Sequence, residues 1–400
     1  MNVFIADKLP DKAIQELQHI GCNVIFKPGL TSADLDQGLG DAQVLIVRST
    51  VVSKVCINNS NALSLIIRAG AGVNNIDMTA ASNLGIFVAN CPGKNAIAVA
   101  ELTMALILSL DRFIGDNVSD FRAGKWNKGS FSKADGIFGK VLGIIGTGQI
   151  GQEVISRARA FGMPVIAWSR SLTQEKADEL DIIYANSIKE VVEKCDVLSI
   201  HLALKPDTRG VISRKILSEL KNGAMLINTS RAEVVDEDAL YDELKSGRLR
   251  AGLDVFSEEP EFKTGEFKSR FQDLDNVYIT HHIGASTAQA QMAVADDAVD
   301  IVRGYLQQGY VRNWLNRCEK TDASWQLVVR HYDKPGVIAN VMSELKEAQI
   351  NAQELTNVIF DGMKTACCTI QLDMKPSEEI MESIRTRQDE VISATLIALK

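Results

Sequence analysis

Residues 141–151 read VLGIIGTGQIG. Val141, Leu142, Ile144 and Ile145 form an apolar run interrupted only by Gly143. It leads into Gly146-Thr147-Gly148-Gln149-Ile150-Gly151, and residues 153–161 then follow helical spacing. Strand, glycine turn and helix in this order make the G-x-G-x-x-G match a candidate dinucleotide cradle. Gly146 allows the tight turn, Gly148 the close approach of a pyrophosphate, and Gly151 the packing of helix on strand. The helix N-terminus adds donors and a positive dipole end. An ordinary βα turn with spare glycines is the plain alternative.

The same alternation extends in both directions. Upstream, apolar runs at 3–6, 23–26, 44–47, 65–67 and 85–89 predict strands, with helices at 11–19 and 31–39. Downstream, strands are predicted at 165–168, 197–202, 224–228, 250–255 and 277–280. Two doubly wound parallel-sheet α/β domains follow. Because the glycine turn opens the second, the first reads as a partner closing a cleft over a cofactor. Residues 95–112 predict a long apolar helix at a domain or subunit interface, and residues 288–307 a helix crossing back to the first domain. Beyond a polar break, strand 325–331, helix 337–348, strands 353–360 and 364–372 around Asp361-Gly362, helix 377–387 and strand 391–399 give βαββαβ, a ferredoxin-like order. The resulting plan is 1–92 with 283–314 as substrate-binding domain, 93–282 as Rossmann domain, 315–324 as linker and 325–400 as the tail module.

Four hundred residues supply core enough for this plan. A net charge of -8 and the lack of any Lys/Arg run argue against a nucleic-acid surface. Seven scattered cysteines without C-x-x-C predict a reducing cytosol. The start, MNVFIADKLP, lacks the pattern of a secretory leader. The most apolar segment, 96–110, contains Glu101, Thr103 and Ser109 and is too short for a membrane span. A cytoplasmic protein with no metal and no membrane partner is the expectation.

Of the five histidines, His19 reads as solvated, while His201, His281 and His282 follow strands at the edge where such sheets bind ligands. An imidazole there suits general acid–base work, or simply caps a strand. Arg231 ends the strand continuing into Asn228-Thr229-Ser230 and offers a planar fork for a carboxylate; alone it reads as a surface ion pair. Glu258-Glu259-Pro260 follows Asp254-Val255-Phe256, and a carboxylate beside an imidazole fixes its tautomer and raises its pKa.

Taken together, these stretches resemble the D-isomer-specific 2-hydroxyacid dehydrogenase family. GTGQIG is similar to its nucleotide fingerprint, NTSRAEVVDEDAL to its Arg motif, AGLDVFSEEP to its Glu motif and HHIGAST to its His motif, over about residues 1–312. The tail resembles an ACT regulatory domain. The resemblance implies a flavodoxin-like substrate domain, with Arg231 on the substrate carboxylate and C2 oxygen, His282 exchanging the C2 hydroxyl proton, and Glu259 paired with His282. It implies Asp254 beside the nicotinamide amide, and Leu202, Thr229, Ser230 and Gly284 in the cofactor site. Residues 68–73, RAGAGV, resemble the loop that meets the carboxylate, through Arg68, Ala71 and Gly72. Arg48-Ser49 matches the place of a basic residue near a substrate phosphate.

The implied reaction is NAD(P)-dependent oxidation of 3-phosphoglycerate, in L-serine biosynthesis. A glyoxylate or hydroxypyruvate reductase is the alternative, and a non-enzymatic nucleotide-sensing scaffold a third reading from another class. A homodimer through the nucleotide domains is implied, or a homotetramer if the tail adds a contact. Three features depart from the family pattern. His281 stands where Pro usually precedes the catalytic His. Ser169, followed by Arg170, stands where NAD enzymes carry an acid, which favours a 2′-phosphate and leaves NAD(H) and NADP(H) both open. In the tail, His331 and Asn351 match the serine-sensing turn and helix end, but Asp333 replaces an Asn. L-serine as effector and a purely structural module both stand as readings.

Overall fold

The structure is a computed structural model and describes residues 1–260 and 265–399. It divides into two compact units, Met1–Asn316 and Arg317–Lys400.

The first unit holds two parallel sheets. In the first, β1 (Asn2–Ile5), β2 (Asn23–Phe26), β3 (Val44–Val47), β4 (Leu65–Arg68) and β5 (Phe87–Asn90) are ordered β2-β1-β3-β4-β5. This is the flavodoxin-like arrangement, whose switch point lies between β1 and β3. In the second, β6 (Leu142–Ile145), β7 (Val165–Trp168), β8 (Ile183–Tyr184), β9 (Val197–Ile200), β10 (Met225–Asn228), β11 (Arg250–Leu253) and β12 (Val277–Ile279) are ordered β12-β11-β10-β9-β6-β7-β8. The order reverses between β6 and β9, the Rossmann switch point. Strands such as Val44–Val47 and Val197–Ile200 are buried at all four positions. A parallel strand covered by helices on both faces needs such a continuous apolar run.

Two long helices join the sheets. Ala96–Arg112 packs on the helix Gln149–Ala160 and on β10 and β11. Ala288–Gln308 returns to the first sheet, packing on the helix Asp11–His19 and on β4. Leu315 and Asn316, assigned to a linker by their polar neighbourhood, are instead part of this unit. The Leu315 amide donates to Val88 O at 2.8 Å, and Asn316 Oδ1 accepts from the Val88 amide at 2.9 Å. Two helix boundaries also differ from the periodicity. The helix predicted at 31–39 is only Ser32–Leu35, capped by the reciprocal Thr31–Asp34 pair and followed by Gly38 at φ +94°. The helix predicted from 153 starts at Gln149, directly off the extended Gly148.

In the second unit, β13 (Trp325–Tyr332), β14 (Ala352–Ile359), β15 (Thr365–Leu372) and β16 (Val391–Ala398) form an antiparallel sheet ordered β14-β15-β13-β16. With the helices Val337–Glu347 and Glu378–Arg385 this is βαββαβ, the ferredoxin-like order. Alternate residues of β15 are buried, and Leu327, Val341, Ile370 and Ile384 share one core. The β14–β15 hairpin closes through the Phe360 amide on Thr365 O at 2.9 Å, with Gly362 at φ +87°. Among the described residues no helix is long and apolar enough to cross a membrane.

Candidate active site

The loops beyond β3, β4, β10, β11 and β12 enclose a cleft of about 380 Å³. Arg48, Arg68 and Gly72 line it from the first sheet, and Arg231, Glu259 and His282 from the second.

His282 stands in a loop that a single buried carboxylate holds in shape. Asp254, 1% exposed, follows β11 and accepts from Thr280 Oγ1 at 2.6 Å and from the amides of Ile283 and Gly284, each at 2.8 Å. Between those anchors His282 adopts φ +52°, a left-handed conformation that His takes more readily than most residues. Its Nδ1 lies 2.8 Å from Glu259 Oε2, while Glu259 Oε1 accepts from the Phe256 amide at 3.1 Å. With Nδ1–H donating to the carboxylate, Nε2 is the nitrogen left for the cleft. The hydrogen bond to Glu259 raises the His282 pKa. Burial opposes it, the charges of Glu259 and Asp254 add to it, and Arg231 subtracts. Both oxygens of Asp254, read from sequence as a cofactor contact, already hold donors of the His282 loop. The other strand-end histidines lie elsewhere. His281 is exposed and absent from the lining. His201 bonds Ser199 Oγ through Nε2 at 2.9 Å, and burial pushes it down to about 4, so it is neutral near pH 7.

Arg231 is aimed by the turn it ends. Asn228 Nδ2 donates to Arg231 O at 2.9 Å, and Asn228 Oδ1 accepts from the Ser230 amide and Oγ at 3.0 and 2.8 Å. Arg231 Nη1 donates to Ser230 O at 2.7 Å. Its Nη2 lies so close over Gly72 that a Cβ there would collide with it. Thr229 is turned inward, its hydroxyl 3.0 Å from that of Thr103. Ala71 O accepts from Asn90 Nδ2 at 2.6 Å, fastening the loop beneath the guanidinium.

The sequence reading missed Asp7, which does for Arg48 what Asp254 does for His282. It is 4% exposed and accepts from the amides of Arg48, Ser49 and Thr50 at 2.7, 2.9 and 2.9 Å, and from Ser49 Oγ at 3.1 Å. Burial alone would raise its pKa, but these donors outweigh burial and lower it. The only local signal was an Asp closing the first strand. Burial lowers the Arg68 pKa, and the charges of Arg231 and Arg48 lower it further. Among the described residues none of these three arginines has a carboxylate within ion-pair distance. Three arginines in one cleft, none ion-paired, make it a candidate anion site, with Glu233 and Glu259 as the carboxylates of the same lining.

The glycine turn lies at the second sheet's switch point. Gly146 has φ +100°, and a Cβ on it would strike His201 O, while one on Gly151 would strike Gly146 O. At Gly148 a Cβ would meet nothing within 4 Å, so that face is an open cradle at a helix N-terminus, which fits a pyrophosphate. Leu202 borders the turn; Gln149 folds toward Gly93, and Ile150 packs on the core. Gly284 is buried. At the rim, Thr147 Oγ1 donates to Ser169 Oγ at 3.0 Å, and Ser171 Oγ lies 3.5 Å from Ser169 Oγ. Arg170 is ion-paired with Asp207.

In the tail the three predicted effector residues do not converge. His331 is 2% exposed, with Nδ1 2.7 Å from Tyr332 O and Nε2 3.1 Å from Asn357 Oδ1. The Asp333 amide bonds Lys364 O, just before β15, whereas the Asn351 amide bonds Asp373 Oδ1, just after it. Eight strand residues, on the order of 25 Å, separate those ends. One chain cannot place Asp333 and Asn351 on one small ligand.

A nucleotide cradle at a Rossmann switch point, beside a carboxylate-oriented imidazole and clustered arginines, defines a dinucleotide-dependent dehydrogenase class. Comparison with known proteins makes the assignment specific. Residues 104–284 match the family model described as D-isomer specific 2-hydroxyacid dehydrogenase, NAD binding domain. The chain is 39% identical over 378 residues to the D-3-phosphoglycerate dehydrogenase of Methanocaldococcus jannaschii, covering 93% of this chain and 67% of that protein. It is 39% identical over 300 residues to the hydroxypyruvate reductase of Thermotoga maritima, covering 74% of this chain and 96% of that protein. The NAD⁺-bound 3-phosphoglycerate dehydrogenase of Entamoeba histolytica superposes with a TM-score of 0.65 at 25% identity, over 79% of this chain and 99% of that one. The chain belongs to the D-isomer-specific 2-hydroxyacid dehydrogenase family, oxidoreductases that work with a nicotinamide cofactor.

Proposed function

We propose that the chain oxidises 3-phospho-D-glycerate to 3-phosphohydroxypyruvate, in L-serine biosynthesis. The observation that carries this reading is the convergence of Arg48, Arg68 and Arg231, without ion-pair partners among the described residues, on the cleft that His282 and Glu259 share. Arg231, with the loop around Ala71 and Gly72, holds the substrate carboxylate and polarises the C2 oxygen; its fork suits a planar anion. Arg48, Ser49 and Arg68 take the phosphate. His282 Nε2 accepts the C2 hydroxyl proton, and Glu259 stabilises the imidazolium that forms. A bound nicotinamide dinucleotide would supply the hydride acceptor for C2. Gly146, Gly148 and Gly151 would hold its pyrophosphate, and Ser169 and Arg170 would lie at its ribose. The M. jannaschii relative named D-3-phosphoglycerate dehydrogenase supports the reading. Seven unpaired cysteines suit a cytoplasmic enzyme.

The test follows the absorbance of reduced nicotinamide with phosphoglycerate or phosphohydroxypyruvate and either dinucleotide. In that assay Arg48→Ala raises KM for phosphoglycerate by about 10–100-fold, the worth of one charge-assisted contact. KM for unphosphorylated glycerate moves by less than about threefold, since glycerate offers Arg48 no phosphate. Equal changes for both acids would remove the phosphate from the reading. The T. maritima relative, named hydroxypyruvate reductase and matched over nearly its whole length, favours the second reading, reduction of hydroxypyruvate or glyoxylate. Turnover of hydroxypyruvate that outpaces the phosphorylated substrate and ignores Arg48→Ala would select it.

The tail is proposed to act as an ACT module sensing L-serine, which its βαββαβ order supports. Because Asp333 and Asn351 lie at opposite ends of β15, a serine touching both spans two copies, tying the effector to a homodimer or homotetramer. Calorimetric titration is expected to show serine binding to the oligomer and inhibition of turnover. Neither heat nor inhibition would leave the module a structural one.

A further inference from the structure

Arg170 and Asp207 reach toward each other across the nucleotide site. Arg170 follows β7 and Asp207 lies in the loop after β9; β6, which feeds the glycine turn, runs between those two strands. Two strand spacings, on the order of 10 Å, are therefore bridged by one ion pair at the carboxyl edge of the sheet. In this fold the adenosine half of a dinucleotide lies in that crevice, and its ribose is read by the residues just past the second strand. Those residues are Ser169, Arg170 and Ser171, and Thr147 of the glycine turn already bonds Ser169. Ser169 supplies no carboxylate to repel a 2′-phosphate, and Arg170 is the cation that would receive one. In this chain that cation is engaged by Asp207.

We propose that Asp207 is a specificity-determining residue that competes with the ribose 2′-phosphate for Arg170. The inference rests on the dinucleotide-dependent dehydrogenase reading. A 2′-phosphate at Arg170 meets a cation whose charge Asp207 already offsets and whose Nη1 it occupies, whereas NAD brings no phosphate to contest the pair. The side chain is free to be changed without disturbing its loop. Thr208, not Asp207, ties that loop: its hydroxyl donates to Ala203 O at 2.7 Å and accepts from the Lys205 amide at 2.8 Å. Asp207 itself is exposed, with just over half of its side chain open to solvent.

The test is equilibrium binding of NAD⁺ and NADP⁺ to the full chain, by calorimetry, without substrate. In Asp207→Asn the ratio Kd(NAD⁺)/Kd(NADP⁺) is expected to rise about five- to tenfold, the order of one screened surface charge pair. Placed on Arg170→Ala, the same substitution is expected to lose that rise. A ratio unchanged within about twofold, in a protein that binds both dinucleotides, overturns the inference alone. A rise that persists without Arg170 also overturns it, since Asp207 would then act by its own charge. A wild-type chain that binds neither dinucleotide overturns the cofactor reading and this inference with it.

Discussion

His282→Gln lowers kcat by about 10²–10⁴-fold, the range of a positioned acid–base group, while dinucleotide affinity, measured by titration, changes by less than about threefold. The glutamine keeps polarity and bulk but has no proton to exchange at the pH of the assay. His281→Gln leaves turnover within about twofold, because that ring is exposed and outside the cleft. Equal losses at both positions would contradict the assignment of the acid–base role to His282. The pH profile gives the same residue a second signature. Oxidation needs the neutral imidazole, which forms only above the His282 pKa, and that pKa is raised above the ordinary value of roughly 6.5 by the bond to Glu259. The rate of oxidation therefore climbs with pH through that raised value. The rate of reduction, which needs the imidazolium, falls through it. Glu259→Gln removes the raising partner, so both limbs move to lower pH. An acidic limb that stays in place would show that Glu259 does not set the imidazole's pKa.

Arg231→Lys is expected to cost about 10²–10³-fold in kcat/KM. The loss corresponds to a bidentate, charge-assisted contact of roughly 3–4 kcal/mol exchanged for a point charge. The structure explains why lysine is no conservative replacement here. Arg231 is placed by Asn228 and the Ser230 carbonyl with one nitrogen over Gly72, a geometry that requires a rigid fork. Cofactor binding, measured separately, stays intact because the pyrophosphate cradle lies on another turn of the sheet. Steady-state kinetics that show less than about a threefold change would remove Arg231 from the reacting centre.

The parts of this molecule that were legible in its sequence are those with local signatures. The glycine turn is a strand–turn–helix within a dozen residues. Arg231, Glu259 and His282 each follow a strand at the ligand-binding edge, and the tail's strands are bounded by a DG turn. What stayed hidden depends on partners far apart in the chain. Asp7 and the Arg48 amide it accepts from are 41 positions apart, and Asp254 holds residues 26 to 30 positions later. Nothing at either aspartate distinguishes such a fastening from a strand-end acid. In the tail the hidden part is a separation: strand length places Asp333 and Asn351 at opposite ends of β15, which the residue types alone do not show. The short helix at Ser32–Leu35 shows a smaller failure, since periodicity continued past the point where the backbone needed a positive φ at Gly38.

The division of labour across the cleft has an evolutionary consequence. Arg48 and Arg68 ride on the first sheet, where Asp7 holds the Arg48 turn; Arg231, Glu259 and His282 ride on the second, where Asn228 holds the Arg231 turn and Asp254 the His282 loop. On the proposed roles, choosing the acid and reacting with it are therefore separable: substitutions in the first sheet's loops are expected to change which hydroxy acid is taken without touching His282 and Glu259. Relatives at the same 39% identity bear two different substrate names.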